Sequence, residues 1–189
     1  MTPARTGRHD REHIIGVALA LLDRYGLPDL TMRRLATELE VQPSALYWHF
    51  DSKQDLLAAV SDRILARMPD AEQDTDLLRA AHAVRDALLS YRDGAEVVLS
   101  SAALRPGRSR AEDALRAALS PSIPDAGLAA TAVLQFILGH TTLVQQRMHG
   151  ESHGAAASPA DPTGDEDAAV FETGIALLSR GAGLTTTLR

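Results

Sequence analysis

The sequence predicts an all-α protein: an N-terminal three-helix head of helix-turn-helix type, joined by a fourth helix to a larger helical body. Two observations point there. Of 189 residues, 45% are hydrophobic but only 4% aromatic, so the core is built from Ala, Leu and Val. Ala and Leu are strong helix formers, and long β-branched runs are missing. Within residues 30–57, LTMRRLATELEVQPSALYWHFDSKQDLL, two short helical patterns flank a tight turn and a third follows at once.

Residues 1–9 mix Pro, Thr and Gly with basic groups and are expected to form a mobile arm. Asp10 can cap a helix to about Tyr25, with Ile14, Val17, Ala18, Leu21 and Leu22 as its buried stripe. Gly26 stops it, and Leu27-Pro28-Asp29 is a turn. Thr31 caps the next helix, which faces Leu35, Ala36 and Leu39 inward. Glu40 to Gln42 form a turn, and Pro43 suits the first position of a third helix reaching about His49. Asp51 or Ser52 caps a fourth helix, whose apolar face is Leu56, Leu57, Val60, Ile64 and Leu65.

An acidic connection, PDAEQDTD (69–76), leads to a helix from about Leu77 to Tyr91, broken by Gly94. An apolar helix follows, Ala95 to Leu104, then an Arg105-Pro106-Gly107 loop and a helix of roughly Ser109 to Leu119. Residues 126–148 form the longest apolar helix; it is hydrophobic on more than one side and so belongs between several partners. Residues 150–167, rich in Gly, Ser, Pro and Asp, read as a flexible loop. A last helix, about 168–188, carries Val170, Phe171, Ile175, Leu178 and Leu184.

Composition removes several function classes. Without cysteine there is no disulfide, thiolate zinc site or cysteine nucleophile. No apolar run is read as reaching the roughly 18 to 20 residues of a spanning helix, and no signal segment is evident, so a soluble cytoplasmic protein with no membrane partner is expected. Residues 1–68 are neutral, and residues 69–189 carry the whole net charge of −6. A basic arm (Arg5, Arg8, Arg11) ahead of a neutral head is compatible with phosphate binding. No nucleophile-elbow or phosphate-loop motif is present, so no catalytic residue, cofactor or metal is assigned. His140 and His149 lie nine apart on one helix and face different directions, while His153 falls in a loop.

In the helix-turn-helix reading, Leu35, Ala36, Leu39, Val41 and Leu46 fix the two short helices together. The exposed face of the third then presents Gln42, Ser44, Ala45, Tyr47, Trp48 and His49. Tyr47 and His49 offer polar tips for phosphates; Ser44 and Ala45 sit near the helix N-terminus, where a recognition helix meets base edges. Ala45 suits a thymine methyl and Arg33 a bidentate contact with guanine. Lys53 can join helix-end N–H groups on a phosphate. The plainer alternative is a packing unit, with Trp48 filling a gap below the first helix.

VQPSALYWHFDSKQDLL (41–57) is similar to the signature of tetracycline-repressor (TetR) family regulators, in which a recognition helix ends in LY-x-HF followed by a Lys and a Leu pair. LLSYRDGAEVVL (88–99), LQFILGHTTLVQQ (134–146) and FETGIALLSRGAGLTTTL (171–188) resemble body segments of the tetracycline repressors themselves. The resemblance implies a homodimer with two heads on a double-stranded DNA operator and a body that binds a small-molecule inducer. The division it implies is 1–53 for the DNA-binding domain, 54–68 for the connecting helix and 69–189 for ligand binding and dimerisation. The implied DNA contacts are Arg33, Pro43, Ser44, Ala45, Tyr47, Trp48, His49 and Lys53. The tetracycline repressors carry Gln-Pro one position later than Gln42-Pro43, so the operator is expected to differ.

The inducer site departs further. Val98 stands where the family's RDGAKVH segment has its magnesium-binding His, and Leu143 or Val144 where a Glu approaches the ion's water shell. Pro69 and Ala80 replace a drug-contacting His and Asn. Without those oxygen and nitrogen donors, no hard-cation site is expected, and the inducer is expected not to be magnesium-tetracycline. The expected pocket is apolar, lined by Val84, Leu88, Val98, Leu134, Leu138 and Thr141, with Ser101 and His140 as polar anchors; plain core packing is the alternative for each apolar member. An inducer against the fifth, sixth and eighth helices would shift the RDG turn and the end of the fourth helix near Met68. Two rivals stand beside this repressor: a ligand-independent regulator of the same fold, and a helical enzyme or scaffold whose hairpin binds protein.

Overall fold

The computed structural model describes residues 10–70, 75–104, 109–119, 123–152 and 164–184. Among them are nine helices and no strand: α1 (Arg11–Tyr25), α2 (Met32–Glu38), α3 (Pro43–Leu46), α4 (Lys53–Leu65), α5 (Leu77–Leu89), α6 (Gly94–Leu104), α7 (Arg110–Ala118), α8 (Ala126–Ser152) and α9 (Gly164–Leu184).

Local chemistry sets most helix starts. The Asp10 carboxylate accepts from the His13 N–H at 2.7 Å, Thr31 Oγ1 from Arg34 at 3.1 Å and Ser52 Oγ from Asp55 at 3.1 Å. Asp76 caps α5 in the same way, and Ser109 and Glu112 form a reciprocal capping box on α7. Each such cap is worth about 1 kcal/mol because it satisfies a helix-end N–H that has no partner inside the helix. Gly26, at φ 83°, takes the left-handed turn that ends α1. Pro43 opens α3 at its first position.

One hydrophobic core runs from head to body, from Ile14 through Leu35, Phe50 and Val60 to Leu88, Ile137 and Ile175. The most extensive helix pairing is α4 on α6, so the helix leaving the head packs directly on the body. Helix α8 packs on α5, α6, α7 and α9. Its segment Ala126–Gly150 is long and apolar enough to cross a membrane, contrary to the reading that no such run exists. Its apolarity instead serves contact with four neighbouring helices.

Other expectations are corrected. Helix α3 ends at Leu46, not near His49. The His49 and Phe50 N–H groups both bond the Leu46 carbonyl, which tightens the chain into a turn that drives Phe50 into the core at 1% exposure. Residues 150–152 and 164–167 are helical, not loop; residues 153–163, with His153, lie outside the described residues, as do 105–107 and 185–188. Glu166 and Asp167 fall in the first turn of α9, where negative charge is favoured, and Asp167 accepts from Arg147 of α8 at 2.6 Å. Val170, expected to face inward, is half-exposed. Gly94 opens α6 rather than merely breaking α5.

The joint between head and body is polar and specific. Asp93, at φ 54°, accepts from the Leu27 N–H at 2.7 Å with one carboxylate oxygen and lies 3.2 Å from His149 Nδ1 with the other. The Arg92 N–H donates to Asp23 at 3.3 Å. A Cβ on Gly26 would lie 2.7 Å from the Asp93 carboxylate, so the two turns meet without room for a side chain. Gln145, 6% exposed on α8, holds the same turn from the other side. Its amide oxygen accepts from the Ala95 N–H at 3.1 Å, and its amide nitrogen donates to the carbonyls of Tyr91 at 2.8 Å and Leu88 at 3.3 Å.

Candidate functional site

The hairpin of α2 and α3 is held by buried Leu35, Ala36, Leu39 and Leu46, and Glu40 adopts a left-handed φ of 55° in the turn between them. Those anchors leave Arg33, Pro43, Ser44, Tyr47 and Trp48 exposed, while Ala45, His49 and Lys53 are half-buried. Trp48 is 89% exposed and Tyr47 53%. Trp48 therefore fills no gap beneath α1, and packing does not account for it; a bare indole is an unusual feature unless it meets a partner. Because α3 stops at Leu46, Tyr47, Trp48 and His49 project from the turn beyond it. His49 turns its carbonyl to the Arg11 guanidinium.

Arg11 departs from its expected place in a free basic arm. It is the first residue of α1, its guanidinium lies 4.3 Å from the centre of the Phe50 ring, and it pairs with Asp55 at 3.7 Å. It braces the turn that carries the exposed aromatics. No sequence signal pointed to this role, because it depends on contacts some 40 residues away. Arg5 and Arg8 lie outside the described residues. Lys53 is the first residue of α4, and no ion pair engages it among the described residues.

The body contains a cleft of about 730 Å³ bounded by α4, α6, α7 and α8, within the usual range for small-molecule sites. Leu65, Val98, Leu134 and Leu138 are among its apolar lining, and Ser61, Asp62, Ser101, Glu112, Thr131 and Gln135 among its polar lining. Of the expected pocket, Val98, Ser101, Leu134 and Leu138 are thus brought together. Val84, Leu88 and Thr141 are fully buried and lie elsewhere, since α5 does not reach this cleft. The polar residues of α4 and α7 were missed because only the packing of α4 on α6 brings them in.

His140 also lies elsewhere, on the side of α8 facing α9. Its Nε2 lies 3.1 Å from the Asp167 carbonyl, and its ring is 5.3 Å from that of Phe171 and 5.9 Å from that of Phe136. Nδ1 is buried with no partner among the described residues, as suits a neutral ring that donates from Nε2. Burial, and then the Arg85 guanidinium, hold its pKa below the usual imidazole value. The unfolded chain therefore binds the proton first. The stability from a neutral His140 is complete above about pH 6.5 and is lost as pH falls through the unfolded value toward the folded one. His140→Gln, which can still donate to Asp167, is expected to flatten the fall in melting temperature between about pH 7.5 and pH 5.5; the same fall in both proteins would refute this.

Residues 14–60 match the family described as bacterial regulatory proteins, tetR family, and residues 68–164 match the tetracyclin repressor-like C-terminal domain. The chain belongs to the TetR family. It is a DNA-binding transcriptional regulator, not an enzyme. It is 34% identical to the class C tetracycline repressor of Escherichia coli, over 90% of this chain and 89% of that one. It is 43% identical to the class A repressor from transposon 1721 of E. coli, over 53% of this chain but only 49% of the relative, so that match spans about half the relative's length. Among solved structures, BioQ of Mycobacterium smegmatis superposes with a TM-score of 0.76 at 36% identity, covering 92% of this chain and 97% of that one. BioQ with its double-stranded DNA operator gives 0.73 at 35% identity, over 93% and 99% of the two chains. A TetR variant from Acinetobacter baumannii AYE in complex with minocycline gives 0.71 at 31% identity, over 92% and 96%.

Proposed function

We propose that this TetR-family protein is a homodimeric repressor that two heads hold on a palindromic operator and that a small molecule in the α4–α6–α7–α8 cleft releases. The observation that carries the DNA reading is the Tyr47–Trp48 pair, exposed in the turn just beyond α3, the second helix of the hairpin. Ser44 and Ala45 are then the base-facing pair, Arg33 reads guanine, and Tyr47, His49 and Lys53 take phosphates. The structural neighbour crystallised with its operator supports the same docking.

The dimer rests on α8 and α9. They leave Leu128, Leu143, Met148, Val170 and Leu177 exposed, apolar side chains that a four-helix bundle with a second copy would cover. The switch rests on α4, which forms one wall of the cleft and continues into the head core. A molecule entering the cleft pushes α4 against α6 and moves the RDG turn, which grips Leu27 through Asp93. The separation of the two recognition helices then changes. Linkage requires operator and inducer to weaken each other's binding by the same factor. Val98 on the cleft wall offers no metal ligand, which favours an inducer other than magnesium-tetracycline.

The test is a gel shift on the DNA upstream of the protein's own gene, expected to be saturable and salt-dependent; no shift at low ionic strength would reject the reading. Lys53→Ala is expected to lower the slope of log affinity against log salt by about one unit, the share of one phosphate. An unchanged slope would remove Lys53 from the contact.

A further inference from the structure

The lining of the cleft is electrically one-sided. Its charged members among the described residues are two carboxylates, Asp62 of α4 and Glu112 of α7. The basic groups of the bounding helices are engaged elsewhere or lie far along them. Arg63 pairs with Glu12 of the head, Arg110 with Asp70 and the Met68 carbonyl, Arg116 with Asp113, and Arg147 with Asp167. Helix α6 contributes neither Lys nor Arg.

Glu112 is held in place. One of its oxygens accepts from the Ser109 N–H at 3.1 Å and the other from the Thr131 hydroxyl at 3.0 Å, which fixes the carboxylate between α7 and α8 while leaving lone pairs on both oxygens. Asp62 has no ion-pair partner among the described residues. Ser61, beside it, is 4% exposed and lines the cleft. Leu65, Val98, Leu134 and Leu138 supply the apolar part of the same lining.

We infer that the cleft selects a lipophilic amine: an apolar body against the Leu65–Val98–Leu138 wall and a protonated nitrogen donating toward Glu112, Asp62 and the Ser61 hydroxyl. This rests on the reading of the cleft as the inducer site and names the chemical class that site takes. A carboxylate or phosphate ligand would set its charge beside two like charges, the half-buried Glu112 and the exposed Asp62, with Glu112 the less screened of the two. A neutral ligand of the same shape gains the wall but leaves the carboxylates without a counter-charge.

Calorimetric titration of the full-length protein with a matched series, 2-(1-naphthyl)ethylamine, the corresponding alcohol and 1-naphthylacetate, separates the outcomes. The amine is expected to bind at least tenfold more tightly than the alcohol, and the acetate not to saturate. Glu112→Gln, which keeps the α7 capping box, and Asp62→Asn are each expected to cut the amine's advantage three- to tenfold while leaving the alcohol's affinity and the melting temperature unchanged. Equal binding of amine and alcohol overturns the amine class but keeps the cleft as a site. Tighter binding of the acetate than of the amine overturns it. If none of the three binds, the cleft itself fails as the inducer site.

Discussion

Replacing Trp48 with alanine is expected to weaken operator binding by about seventyfold and to leave the fold untouched. The indole is 89% exposed, so its removal opens no cavity and costs the folded protein less than about 0.5 kcal/mol. On the operator, burying about 100 Å² of its ring at about 25 cal/mol per Å² contributes about 2.5 kcal/mol, which is the stated factor. Tyr47→Phe separates the neighbouring contribution. It keeps the ring and removes one hydrogen bond to a charged phosphate, worth about 1.5 to 3 kcal/mol. Fluorescence anisotropy on a labelled operator reads both, and melting temperatures serve as the control. Wild-type affinity in Trp48→Ala would mean that the exposed indole meets something other than DNA.

The second large effect is on stability. Gln145→Leu is expected to lower the melting temperature by about 6 to 12 °C at fixed protomer concentration. The side chain is 6% exposed and satisfies the Ala95 N–H and the carbonyls of Tyr91 and Leu88. Leucine fills the space but leaves those groups unpaired at about 1 to 3 kcal/mol each, about 3 kcal/mol in all after partial rearrangement. In a chain of this size each 1 kcal/mol moves the midpoint by about 2 to 4 °C. Gln145→Glu, which can still accept from Ala95 but sets a buried carboxylate oxygen against the Tyr91 and Leu88 carbonyls, should lower it at least as far. A midpoint within 2 °C of wild type for the leucine variant would show that water replaces the amide.

What the sequence made legible was local. Asp10, Thr31, Pro43 and Gly26 announce their helix boundaries through chemistry confined to a few neighbouring residues, and the structure places each where that chemistry requires. The helix-turn-helix was legible for the same reason, since its spacing and its exposed aromatics lie within one short stretch. The end of α3 was not, because nothing in its own pattern marks Leu46 as the point where the chain tightens into a turn and buries Phe50. The cleft was half legible. Val98, Leu134 and Leu138 follow helical periodicity, but so do Val84 and Leu88, and periodicity cannot tell a wall from a core. Ser61, Asp62 and Glu112 were invisible because nothing in their own segments says that α4 and α7 face each other across α6 and α8. Gln145 was read as part of a resemblance, and its role as a staple depends on carbonyls more than 50 residues away.

The interlocked turns at Gly26 and Asp93 bear on protein engineering. Hybrid sensors are commonly assembled by splicing the reading end of one regulator onto the sensing end of another. Here the natural-looking seam, after α3 or within α4, would cut through a continuous core and separate Asp23, Gly26 and Leu27 from the partners that fit them at Arg92 and Asp93. A working graft must transplant both sides of that lock together.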